Sequence, residues 1–204
     1  MIRHYIEQSW LLIVSSFFFG LLLALTNTAW SGKIEQNRID KLNRLMKSLI
    51  ADANNFELVI KDAQVELGKG KIAKTDVYQA FASDGKDAGF CFRAEGMGFA
   101  DKIELVVAVD AAFEKIKGYN VLATSETPGF GDKISQSFYS DQYKGAPVGL
   151  LSLSKKGDDK KIDDEIIAIS GATVSSTAVL NIFNKYLEQV KNQVLQKGLV
   201  NNGR

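Results

Sequence analysis

The segment from Trp10 to Trp30 constrains this chain more than any other. It reads WLLIVSSFFFGLLLALTNTAW and carries no charged residue over 21 positions. Wound as a helix rising about 1.5 Å per residue, it would reach about 30 Å, the depth of a bilayer's hydrocarbon core. A tryptophan stands at each end, where an interfacial ring is favoured. A run this apolar at the extreme N-terminus argues against a buried globular helix. The serious competitor is a cleavable signal peptide, cut near Ala24–Ala29, where Ala24, Thr26, Thr28 and Ala29 are small enough. The apolar stretch exceeds a typical signal core, which favours an uncleaved transmembrane anchor. No cysteine follows closely, so lipoprotein anchoring is not expected.

Charge around the span gives a conflicting orientation. Only Arg3 precedes it, whereas Lys33, Arg38, Lys41, Arg44 and Lys47 follow. The positive-inside rule taken alone would keep the body of the chain in the cytoplasm, although large domains translocate despite such charges.

The chain has 204 residues, enough for one full-sized domain beside the span. With 25 basic and 24 acidic residues, and no basic patch interleaved with aromatics, nothing points to nucleic acid. Cys91 is the sole cysteine and His4 the sole histidine. An intrachain disulfide, a Cys/His metal cage and a Ser-His-Asp triad are thereby excluded. Cys91 lies in Gly89-Phe90-Cys91-Phe92, the pattern of a strand interior, and reads as a buried structural thiol.

Beyond the span, Ser31–Ala51 reads as a helix. Ile34, Leu42, Leu45, Met46, Leu49 and Ile50 recur largely at three- and four-residue spacing, and the helix is expected to pack on the domain. Strand signals follow at Val77–Ala82, Gly89–Ala94, Ile103–Val109, Ile116–Ala123 and Val148–Leu153, with Ser83–Lys86 a hairpin connection. Lys155–Asp164 is a charged, solvated loop. A helix from about Ser175 to Gln196 carries the apolar stripe Ala178, Val179, Ile182, Phe183, Tyr186, Leu187, Val190 and Val194, and Asn201-Asn202-Gly203 reads as a frayed end. The expectation is an α+β fold: a mainly antiparallel sheet packed with helices, preceded by one N-terminal transmembrane helix. The expected divisions are 1–9 as a tail, 10–30 as the span, 31–55 as a juxtamembrane helix and linker, and 56–204 as the domain.

Two motifs carry chemistry. Ser170-Gly171-Ala172-Thr173 ends a short apolar run and opens the last helix, with Ser175, Ser176 and Thr177 just beyond. Unpaired N–H groups and the positive dipole end suit a phosphate there, and an ordinary Ser/Thr N-cap is the competing reading. Ser125-Glu126-Thr127-Pro128-Gly129-Phe130-Gly131-Asp132-Lys133-Ile134 holds one of only two prolines, in a Pro-Gly pair suited to a tight turn. Its glycines let backbone approach a flat ligand, with Glu126, Thr127 and Lys133 as polar contacts and Phe130 as an apolar face.

The span, the Glu-Thr-Pro-Gly-Phe-Gly-Asp-Lys-Ile loop and the Ser-Gly-Ala-Thr turn together resemble the FMN-binding-domain family. Its members include flavin-carrying subunits of Rnf-type ion-translocating oxidoreductases and of sodium-pumping NADH:quinone reductases. The resemblance implies FMN held by a phosphoester to Thr173, beside Ser170, Gly171 and Ala172. Glu126, Thr127, Gly129 and Phe130 would border the isoalloxazine ring, with Lys133 and Lys155 or Lys156 as lesser polar contacts. It implies attachment by a separate FAD-dependent flavin transferase, because nothing in the chain would activate a threonine hydroxyl. It further implies a domain on the outer face of the cell membrane, against the charge count. The role implied is electron relay as a redox subunit of a translocase, not catalytic alone, coupling ferredoxin/NAD chemistry to Na+ or H+ movement. Its partners would be the other subunits of the complex and membrane lipid, with no metal of its own. Relay to another extracytoplasmic acceptor, and a non-redox structural subunit, stay open as alternatives. The family often has an acid three positions before the motif's first Ser or Thr; here that position is Ile167.

Overall fold

The structure is a computed structural model that describes residues 2–68 and 70–200, with side chains from Ser9 onward. The expected frayed end at Asn201–Gly203 and the side chain of His4 lie outside the described residues. The chain divides into two compact units, Met1–Lys41 and Leu42–Arg204.

One helix, α1, runs from Ile2 to Leu49. From Ser9 it is long and apolar enough to cross a membrane, and none of its most apolar stretch is buried within the chain. Trp10 and Trp30 are 57% and 63% exposed. Such a surface is soluble only if lipid or protein covers it.

In the second unit, five strands form an antiparallel sheet in chain order: β1 Ala53–Gly68, β2 Lys71–Ala82, β3 Asp87–Met97, β4 Lys102–Val109 and β5 Ile116–Ala123. The β2–β3 connection turns where the hairpin was expected, with Ala82 N–H donating to Lys86 O at 2.9 Å. Both faces of β4 are covered, which explains its unbroken apolar run from Leu105 to Val109. On one face Ile103, Leu105, Val107 and Val109 join the main core. On the other, Val106 and Ala108 join Ala80, Cys91 and Leu122 beneath Met46 and Ile50, with Leu42, Leu45 and Leu49 packed against them.

The last helix, α3, spans Thr173–Gln196. All eight residues of its expected stripe are buried in the main core. Between β5 and α3 come a 3-10 turn at Gly131–Ser135, the short helix α2 at Ser137–Ser140, and a parallel pair of short strands, β6 Ser152–Ser154 and β7 Glu165–Ile167. The strand expected over Val148–Leu153 is therefore mostly irregular. Leu151 N–H donates to the Asn184 side chain and Leu151 O accepts from it, both at 2.8 Å, so an α3 amide replaces a strand partner.

Candidate functional site

Thr127 O accepts the N–H of Phe130 at 3.2 Å across Pro128-Gly129, and Gly129 takes φ +78°. This is the geometry of a type II turn, in which glycine supplies the positive φ and proline presets the position before it. Gly171 takes φ +80° in the second motif, where Ala172 N–H returns to Ile169 O at 3.0 Å. The two turns face one cavity of about 460 Å³. Glu126, Thr127 and Phe130 line it from the first motif, and Gly171, Ala172 and Thr173 from the second.

Helix α3 begins at Thr173, two residues earlier than expected, and its N-cap is Ala172, with no side-chain cap. The hydroxyls beyond Thr173 are all engaged. Ser175 Oγ donates to Glu126 Oε2. Ser176 Oγ accepts from Ile169 N–H and donates to Ala172 O, both at 3.0 Å. Thr177 Oγ1 donates to Thr173 O at 2.8 Å. Thr173 Oγ1 forms no hydrogen bond among the described residues, and the residue is half-buried in the cavity wall. The backbone N–H groups of Thr173, Val174 and Ser175 likewise have no partner there. Three free donors at a dipole's positive end thus stand beside one free hydroxyl, a donor set matched to a phosphate group.

Much of the remaining lining is apolar. Phe99 at 69%, Phe130 at 57% and Val174 at 55% exposure all line the cavity. No Lys or Arg does. Lys133 lies outside the lining, its Nζ 6.0 Å from the Phe130 ring centroid. Ser170 and Gly129 belong to the turns but not to the lining, and Lys155 and Lys156 are exposed in the 155–164 loop, also outside it. Phe99, Gly131, Val174 and Ser175 complete the lining. Phe99 had a trace in the sequence: it follows Gly96-Met97-Gly98, a turn with no evident reason to carry a phenylalanine. A smaller hollow of about 290 Å³ beside α3, with Lys71, Lys185 and Asn181 in its lining, holds no hydroxyl side chain.

The site rests on a buried aromatic floor. Tyr139 Oη donates to Ser176 O at 3.1 Å and lies 3.1 Å from Tyr143 Oη. Burial pushes the Tyr139 hydroxyl up to about 12, so it stays a neutral donor. Tyr119 Oη donates to Ile134 O at 2.6 Å, fixing the 3-10 turn that follows the Pro-Gly loop.

Comparison with known proteins agrees with this geometry. Residues 98–188, which contain the whole cavity lining, match the FMN-binding domain. The G subunit of the ion-translocating oxidoreductase complex of Methanosarcina acetivorans is 29% identical over 89% of this chain and 92% of its own. The G subunit of the proton-translocating ferredoxin:NAD(+) oxidoreductase complex of Clostridium ljungdahlii is 28% identical over 88% of each chain. The Na(+)-translocating counterpart from Acetobacterium woodii is 28% identical over 89% of each. Among solved structures, NqrC of Shewanella oneidensis superposes with a TM-score of 0.57 at 26% identity, covering 72% of this chain and 73% of its own. The C subunit of the Na(+)-translocating NADH-quinone reductase of Parabacteroides distasonis shares the fold, with a TM-score of 0.55 at 18% identity over 83% of this chain and 96% of its own. By the domain match, the long alignments to G subunits and the shared fold, residues 98–188 are similar to the FMN-binding domain and the chain is similar to the G subunits of ion-translocating oxidoreductase complexes.

Proposed function

We propose that this chain is the covalent-FMN electron-transfer subunit of a membrane-bound, ion-translocating oxidoreductase of the Rnf type. The observation that carries the reading is the free hydroxyl of Thr173, set beside three free helix N–H groups in a cavity of a size suited to a cofactor. FMN fits these residues. Phe99, Phe130 and Val174 would flank the ring, Thr127 would meet its polar edge, and the first turn of α3 would hold the phosphate. Ser170, Gly171 and Ala172 form the turn that keeps bulk away from it.

Charge supports a covalent link over a merely bound nucleotide. A free phosphate monoester carries a charge of about −1.5 to −2 near neutral pH, and among the described residues no cationic side chain lines the cavity. Esterified to Thr173, the phosphate keeps a single negative charge, which helix-end donors can meet. The one carboxylate in the lining, Glu126, is engaged by protein donors, so the cavity holds no free base for Thr173. A separate flavin transferase then activates the hydroxyl. Thr173 Oγ1 bonds to the flavin-side phosphorus of FAD, its proton leaves to the transferase, and AMP departs.

Bound FMN would supply the redox chemistry. The chain's own residues position it and exclude water from one side. Helix α1 would anchor the subunit in lipid, with the domain on the outer face, as the family resemblance implies. Relatives of equal identity, 28%, carry a proton in one name and sodium in the other, so the reading is stated for either ion.

Mass spectrometry of the full chain, made in membranes alongside a flavin transferase, tests the link. An increment of one FMN less one water is expected, and it is lost in Thr173→Ala. An unmodified wild-type chain would sink the proposal. Co-purification with membrane-embedded and iron–sulfur subunits tests the complex, and protease protection in sealed vesicles tests the outer-face orientation.

A further inference from the structure

Glu126 lines the cavity but does not offer its oxygens to it. The residue is 5% exposed. Its Oε1 accepts the N–H groups of Phe99 at 2.8 Å and Ala100 at 3.0 Å, and its Oε2 accepts the Ser175 hydroxyl. Such an acceptor-only set of partners is that of an ionised carboxylate. Two glycines leave it room: a Cβ on either Gly98 or Gly131 would collide with this carboxylate. Three segments therefore meet on one buried charge: the turn after β3, the Pro128-Gly129 loop and the first turn of α3.

We propose that Glu126 is a positioning residue whose fixed negative charge, built into the cavity wall, lowers the electron affinity of a flavin bound there. The inference rests on the FMN reading above. Its physical basis is Coulombic. A buried charge acts through a medium of low effective dielectric and is poorly screened by salt. An electron delivered by the redox partner would add negative charge beside a carboxylate that cannot move away. The Ser175 hydroxyl, the two backbone N–H groups and the α3 dipole each offset part of that charge. Removing the charge and removing one of its donors should therefore act in opposite directions, which a merely structural role would not do.

The test is a redox titration of flavin absorbance on the full-length, flavinylated chain in detergent, at neutral pH and at low and high salt. Glu126→Gln keeps the shape and removes the charge, and its midpoint potential is expected above the wild-type value. Ser175→Ala leaves the charge less compensated, and its midpoint is expected below. Both shifts persist at high salt. Unmoved midpoints in flavinylated variants overturn the inference while leaving the FMN reading intact. Where Glu126→Gln does not accumulate as folded protein, Ser175→Ala decides: a zero or positive shift overturns the inference. A wild-type chain without the FMN mass increment overturns the FMN reading and this inference with it.

Discussion

Gln142 holds Ile167 by both of its backbone groups. Ile167 N–H donates to Gln142 Oε1 at 2.7 Å, and Gln142 Nε2 donates to Ile167 O at 3.2 Å. Ile167 is the position where the resemblance drawn from the sequence leads one to expect an acid. Here its side chain is half-buried and reaches toward Gly157 in the charged loop, outside the cavity lining. An acid at this place would thus face the 155–164 loop and not the cavity.

Gln142→Ala leaves two backbone groups of β7 without partners. Each unpaired buried polar group costs about 1–3 kcal/mol, so a clear drop in the denaturation midpoint of the solubilised chain is expected. Gln142→Glu keeps the acceptor for Ile167 N–H and should lose less.

Thr173→Ala separates chemistry from stability. The hydroxyl has no partner among the described residues, so its removal should change stability by no more than about 0.5 kcal/mol while abolishing the FMN mass increment. Ser176→Ala, which breaks two hydrogen bonds at 3.0 Å, should instead destabilise by about 1–3 kcal/mol. Thermal melts paired with intact mass would distinguish the two.

Alkaline pH should weaken the fold. Burial raises the Cys91 thiol from 9.0 to about 12 and the Tyr139 hydroxyl from 10.0 to about 12. Both groups keep their protons longer when folded than when unfolded. Their stability contribution is complete below about pH 9 and is lost as pH rises toward 12. Cys91→Ala should flatten the start of that decline, and folded wild type should resist thiol reagents at pH 8. Rapid labelling of the native chain would contradict both.

Phe183→Ala should be among the costliest core substitutions. The ring is fully buried, stacks on Tyr143 with centroids 4.5 Å apart and meets Tyr119 edge-on at 5.5 Å. A cost of about 3–5 kcal/mol is expected from the transfer and cavity effects together, measurable by urea unfolding.

Local pattern carried much of this fold. The α3 stripe has a 3.6-residue period, and the Ser83–Lys86 hairpin is marked by turn residues, so both are legible from neighbours in sequence. Val148–Leu153 is not, because its partner is a side chain on α3 rather than a strand. The start of α3 is obscured for a related reason: hydroxyls at Ser175 and Ser176 look like caps, but they bond to Glu126 and Ile169. At the site, Thr173 and the Pro-Gly turn are legible as motifs. Glu126 is legible as a residue of the cavity but not in its bonding, because its donors lie 26, 27 and 49 positions away in the chain. Ser170 and Gly129 adjoin lining residues along the chain, and Lys133 lies two positions from one, without reaching the cavity themselves, a distinction that only the folded turns make.

The chain order of the sheet also gives the site a place in time. Strands β1 to β5 each pair with the strand next in sequence, and such local pairing closes short loops at small entropic cost. The meander can therefore assemble while later residues are still being made. The cavity cannot, because half of its lining, Gly171 to Ser175, arrives with the turn before α3 and that helix's first residues. On the proposed function, flavin loading would in that sense be a late event, open to a transferase only after α3 has docked, and a chain cut short before Thr173 would present a sheet with nowhere to receive a cofactor.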